Sequence, residues 1–129
     1  MIDHIGIPVS DYTRAKTFYV KALAPLGYAI IMEVDQMERA DAKAAGFGGA
    51  DGKPDFWIGS EGGPKQAIHV AIAAKDRPTV DAFYKAAIAA GGKDNGAPGL
   101  RPHYHPNYYG AFVLDPDGHN IEAVCHTPA

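Results

Sequence analysis

DHIGIPVSDYTRAKTFYVKALAPLGY, residues 3–28, recurs in altered form as IHVAIAAKDRPTVDAFYKAAIAAGG at residues 68–92. A shift of 65 residues lays His4 over His69, Ile7 over Ile72, Asp11 over Asp76 and Phe18-Tyr19 over Phe83-Tyr84. The register continues without a gap: Ala22 meets Ala87, Ala24 meets Ala89 and Gly27 meets Gly92. Self-similarity at one fixed period marks a supersecondary unit used twice. The chain is therefore expected to hold two modules, 1–64 and 65–129, within a single domain, divided near the Gly-rich EGGPK at 61–65.

Each module reads alike. A short alternating strand comes first, with Ile5, Ile7 and Val9 on one face and Val70, Ile72 and Ala74 matching them. A helix follows, capped by Ser10 or Asp11 in the first copy and by Asp76 ahead of Arg77-Pro78 in the second. Ala15, Phe18, Tyr19, Ala22 and Leu23 recur at helical spacing, as do Val80, Phe83, Tyr84, Ala87 and Ile88. Gly27 and Gly91-Gly92 end the helices. Three shorter extended pieces follow each helix: AIIMEV, AAGFGG and DFWIGS in the first copy, a loop-rich stretch to Tyr104, YYGAFVLD and NIEAVCH in the second. The predicted unit is βαβββ, present twice, in an α+β fold.

Composition sets outer limits. Hydrophobic content of 47% and charged content of 21% suit a globular domain. A net charge of −3, with no Lys/Arg cluster, argues against a nucleic-acid surface. Apolar runs such as Ala29–Met32 are too short to span a bilayer, and strand-like residues from Ile2 onward leave no room for a signal peptide. The lone Cys125, in an apolar strand, reads as packing and fits a reducing cytoplasm. The Gly48-Gly49 and Gly62-Gly63 stretches lack the GK[ST] of a phosphate loop. Asp115 and Asp117 suit a tight turn better than a calcium loop, and His119 just after them is expected in solvent, as is His126.

Strand alternation then sorts the histidines. If Ile5, Ile7 and Val9 pack under the helix, His4 points to the opposite face of the sheet, and the repeat gives His69 the same orientation. In NIEAVCH the apolar face is Ile121, Ala123 and Cys125, so Glu122 shares the other face with Asn120 and Val124. A glutamate in an apolar strand is costly unless it is paired or ligates a cation. His4, His69 and Glu122 on one concave face make a two-histidine, one-carboxylate set that leaves positions open on a divalent metal. The competing candidates are His103 and His105 in RPHYHPNYYG, 101–110, which share a face if that segment is extended.

These residues resemble the vicinal oxygen chelate superfamily, which includes glyoxalase I, fosfomycin- and bleomycin-resistance proteins and extradiol dioxygenases. The resemblance rests on DHIGIPVSD and HVAIAAKD, each with FY one helix later, and on the closing DPDGHNIEAV. It implies paired βαβββ modules in an open, eight-stranded, mixed barrel-like sheet with helices outside, usually in a homodimer. It also implies one divalent ion (Zn, Fe, Mn, Ni or Co) held by His4, His69 and Glu122. Glyoxalase I has a fourth ligand where this chain has Trp57, or Phe56 in the other alignment, so a three-ligand site is implied. Extradiol enzymes carry a tyrosine at the position of Phe112.

The expected function is therefore a metal-dependent lyase, isomerase, transferase or dioxygenase acting on a small oxygenated molecule that chelates the metal. The alternative is a non-catalytic binding or drug-resistance protein of the bleomycin type. Glu122, His103, His105 and Tyr109 are candidates for proton transfer. Trp57, Arg101, Tyr104 and Tyr108 are candidates for substrate contact. Pro102 and Pro106 are expected to stiffen a loop that hangs His103, Tyr104 and His105 over the open metal positions, with Tyr108 and Tyr109 entering the next strand.

Overall fold

A computed structural model describes residues 2–35, 43–60 and 66–129. The first half runs β1 (Ile5–Pro8), α1 (Tyr12–Leu23), a single 3₁₀ turn (Ala24–Leu26), β2 (Ala29–Asp35), β3 (Lys43–Gly48) and β4 (Pro54–Gly59). The second runs β5 (His69–Ala73), α2 (Arg77–Ala89), β6 (Lys93–Leu100), β7 (Tyr109–Leu114) and β8 (Asn120–Cys125). Two four-stranded sheets result, ordered β1-β4-β3-β2 and β5-β8-β7-β6, and they are not hydrogen-bonded into a closed barrel. The expected division between modules at 64/65 lies outside the described residues.

Capping chemistry places both helices. The Asp11 side chain accepts from the Arg14 amide at 3.0 Å, and Asp76 accepts from the Thr79 amide at 2.8 Å. Each removes one of the four orphan N–H groups at a helix start. Asp11 rather than Ser10 is thus the first cap. At the far ends Gly27 (φ 80°) and Gly91 (φ 102°) take the left-handed backbone that releases the chain toward the sheet.

The buried faces follow the predicted periods. Phe18, Tyr19 and Leu23 of α1 and Val80, Phe83 and Ala87 of α2 join Ile7, Phe47, Phe56 and Ile58 of one sheet and Val113, Ile121 and Ala123 of the other. One core therefore serves both halves. The opposite strand faces carry exposed His4, Gly6, His69, Ala71 and Ala73. No described helix is long and apolar enough to cross a membrane.

Two local readings sharpen or change. The loop-rich stretch to Tyr104, counted as the first extended piece after the second helix, holds strand Lys93–Leu100 on the sheet edge. It tolerates Pro98 there, and its register shifts twice around Gly96, which sits at φ 148°. His119, expected in solvent, is fully buried. Its Nδ1 accepts from the Ile68 amide at 3.1 Å and its Nε2 donates to the Pro8 carbonyl at 2.9 Å. That ring ties the start of β5 to the end of β1.

Its neighbours complete a clasp between the halves. Buried Asp115 accepts from the Tyr19 hydroxyl at 2.6 Å and from the amides of Asp117 and His119 at 2.9 and 2.8 Å. Burial, and then the nearby Asp115 charge, push the Tyr19 phenol well above its ordinary range. Asp117 accepts from the Ser10 amide at 3.2 Å. The DPDGH turn is therefore a tight turn as read, and also the joint between the repeats.

Candidate metal centre

Glu122 lies in the middle of the second sheet, between β5 and β7, where Ala71 and Phe112 are its register partners. Its side chain is 1% exposed, while that of His69, which bonds to it, is 51% exposed. His69 Nε2 is 2.8 Å from Oε1. The Tyr108 hydroxyl donates to Oε2. Both carboxylate oxygens are thus engaged, one by a ring at the open surface and one by a phenol. Burial comes first, and the bond to Glu122 second, in pushing the Tyr108 phenol up to about 12.

Gly110 makes this arrangement fit. A Cβ there would lie 3.2 Å from Tyr108 Cε1 and 3.3 Å from Glu122 Oε2. The glycine leaves room for the phenol to reach the carboxylate.

The donor set suits a divalent ion. Two ligands at right angles on one metal, with bonds of about 2.1 Å, stand about 3 Å apart. His69 Nε2 and Glu122 Oε1 already have nearly that separation. His4 is not with them. Its Nδ1 is 2.8 Å from Asp3 Oδ1, and its side chain is 58% exposed. Lys53 first, and then His4, hold the Asp3 carboxyl below its ordinary range. Among the described residues no three His, Cys, Asp or Glu side chains come together as a metal cluster.

Strand register resolves the equivalent of Glu122 in the first half. Gly6 pairs with Trp57 as Ala71 pairs with Glu122, so Trp57, not Phe56, takes that position. Phe56 is in the core. Trp57 faces the same side as His4, and both line a cavity of about 430 Å³. Gly46 admits the indole, since a Cβ there would come within 2.8 Å of it.

The RPHYHPN part of RPHYHPNYYG, residues 101–107, folds as turns, so the alternation that would have paired His103 with His105 does not apply. The Arg101 amide donates to the Tyr108 carbonyl at 2.7 Å and closes the loop. His103 stacks near Tyr104, with centroids 4.1 Å apart, and Tyr104 lies 5.1 Å from the Tyr108 ring. His105 turns toward His126, 5.6 Å away, and its Nδ1 accepts from the Asn107 amide at 3.0 Å. Tyr109, a proton-transfer candidate, packs toward the helix layer. Its hydroxyl donates to Asp81 of α2 at 2.6 Å, and its register partner is the core-facing Cys125.

Arg101 packs its guanidinium 5.4 Å from the Phe112 ring centre and donates to the carbonyls of Gly99 and Ala97, both at 2.8 Å. With His103, Phe112 and Asn120 it lines a shallow depression of about 360 Å³. Phe112 is also 6.2 Å from the His69 ring, so the depression adjoins the His69–Glu122 pair.

Sequence reading missed the Gly110 gap and the buried His119. The first had a signal in YYGAF, a glycine inside an otherwise bulky strand. The second had none, because a histidine after a turn looks the same whether solvated or clamped.

The family model described as Glyoxalase/Bleomycin resistance protein/Dioxygenase superfamily matches residues 1–123. Among solved structures, a glyoxalase/bleomycin resistance protein from Albidiferax ferrireducens T118 superposes with a TM-score of 0.76 at 25% identity, covering 97% of this chain and 98% of that one. A mutant of glyoxalase I from Zea mays gives a TM-score of 0.72 at 26% identity, with 95% of this chain covering 45% of that enzyme. A family enzyme from Burkholderia phytofirmans PsJN shares the fold at a TM-score of 0.70 and 19% identity, with 98% of each chain covered. No curated protein matches the sequence. The chain belongs to the Glyoxalase/Bleomycin resistance protein/Dioxygenase superfamily.

Proposed function

We propose that this protein is a metal-dependent enzyme of its superfamily, acting on a small oxygenated molecule whose two oxygens chelate a divalent ion. The observation that carries the reading is the buried Glu122 carboxylate, held by Tyr108 on one oxygen and facing half-exposed His69 on the other. A carboxylate in an apolar strand is expensive to keep, and a cation at an open face compensates it. His69 Nε2 and Glu122 Oε1 would be two of the ligands.

His4 would be the third, contributed by a second copy of the chain in a homodimer. What supports this is its exposure on the open face of its own sheet, beside an Ile2 that is 82% exposed. Asp3 holds Nδ1, and a carboxylate on one ring nitrogen is the arrangement that orients a histidine to bind metal through the other. Trp57 would give an apolar wall on that side.

When bound, the ion supplies Lewis acidity toward an enolate or oxyanion in the substrate. The chain's own residues do the rest. Tyr108 keeps Oε2 occupied, so Glu122 presents Oε1 alone. His103, which lines the depression with Phe112, would take or return a proton. A well-aimed base of this kind contributes roughly 10²–10⁴ in rate.

Stripping metal with a chelator and screening dicarbonyl thiol adducts, catechols and epoxides with each divalent ion tests the reading. Activity that returns with one ion and is absent in Glu122→Gln supports it. Turnover or ligand binding indifferent to metal favours a sequestering protein instead.

A further inference from the structure

We propose that the depression beside His69 and Glu122 is a carboxylate subsite, with Arg101 as its anchor, so that the substrate is an oxygenated acid carrying a charged tail. The inference rests on the metal reading above for the head of the substrate, but its evidence is separate.

Arg101 is a half-buried cation with no carboxylate partner among the described residues. Its position is built. Nη1 and Nη2 each donate to a backbone carbonyl, and the guanidinium packs over Phe112. A Cβ on Gly96 would lie 3.2 Å from Nη2, and one on Gly99 would lie 3.2 Å from Nη1. Two glycines thus clear space for one guanidinium in a strand that gives up regular register to hold them. Of the five N–H donors, two are used and three remain. A charge fixed at this cost with spare donors is suited to an anion, and a guanidinium fork matches a carboxylate.

The rest of the lining agrees. Asn95, His103 and Asn120 add hydrogen-bonding groups and no carboxylate. The buried Oδ1 of Asn120 has no hydrogen-bond partner. Asn120 is the register partner of His69 and two residues from Glu122 on the same face. Phe112, in contact with both His69 and Arg101, forms the floor the substrate crosses.

The test compares two five-carbon 2-oxo acids on the purified protein, 2-oxoglutarate and 2-oxopentanoate, which share a chelating head and differ only in the tail carboxylate. Calorimetry is run with cobalt-loaded and metal-stripped protein, for wild type, Arg101→Met and Arg101→Lys. The diacid is expected to bind about ten- to a hundredfold more tightly than the monoacid to wild type. The gap should close in Arg101→Met and narrow in Arg101→Lys, while cobalt affinity stays intact in both. Equal affinities in wild type, no binding of the diacid, or a gap that survives in Arg101→Met overturns the subsite. A tail preference that depends on Arg101, in ligands whose absolute affinities are both unchanged by metal removal, sustains the subsite and defeats the metal reading instead.

Discussion

Tyr108 and Glu122 are joined through the phenol and Oε2, across a strand pair in which Gly110 provides the space. The bond matters because it divides the carboxylate into two unlike oxygens. One is satisfied inside the protein and the other faces His69 and the open surface.

Tyr108→Phe should therefore weaken metal binding without unfolding the domain. Removing a partner that orients a ligand costs about 10–100-fold in affinity. Competition against a chelating dye on wild type and variant measures it, with the melting temperature of the metal-free proteins as control. Equal affinities would show that Glu122 is held by its strand alone.

Gly110→Ala should act in the same direction by a different route. The new methyl lies within 3.3 Å of both Tyr108 and Glu122, so one must move. Metal affinity is expected to drop in Gly110→Ala and to fall no further when Tyr108→Phe is added. Additive losses would mean that the two positions act independently.

His119→Leu tests the clasp between the halves. The variant orphans the Ile68 amide and the Pro8 carbonyl, each costing about 1–3 kcal/mol when left unpaired in a buried site. Urea denaturation should register the sum as lost stability. A loss below about 1 kcal/mol would show that water or a shifted backbone replaces the ring.

The α2 cap gives a pH dependence. Hydrogen bonds from Thr79, side chain first and amide second, hold the Asp76 carboxyl below its ordinary range. A depressed folded-state pKa means the unfolded chain takes up the proton first. The stabilisation is thus complete above about pH 4 and is lost as pH falls through the lower folded value. Asp76→Ala should melt below wild type at neutral pH, and the difference should shrink in acid. Asp76→Asn, which keeps an acceptor, should lose less. A difference that grows as pH falls would contradict the assignment.

The halves of the fold were readable because repetition and burial leave periodic marks. Phe18-Tyr19 and Phe83-Tyr84 repeat at one offset, and the strand register of Gly6–Trp57 and Ala71–Glu122 reproduces it. The face of Glu122 was readable for the same reason, since Ile121 and Ala123 flank it in a period of two. The bounds of edge strand β6 were not, because Gly96 and Pro98 obscure a strand that has neighbours on one side only. Nor was the direction of Tyr109, since two adjacent tyrosines at a strand entrance offer no cue to which one enters the core. The distance of His4 from His69 depends on how two sheets pack, which no local pattern encodes.

Metal content measured on wild type, His4→Ala, Glu122→Gln and a refolded equal mixture of the two variants tests the site most directly. The account predicts about one ion per chain in wild type and a near-complete loss in each variant. It predicts partial recovery in the mixture, to roughly a quarter of the wild-type content, because half of randomly paired dimers hold one site in which His4 of one copy meets His69 and Glu122 of the other. A wild type that binds no divalent ion, or that keeps it in Glu122→Gln, would contradict the account.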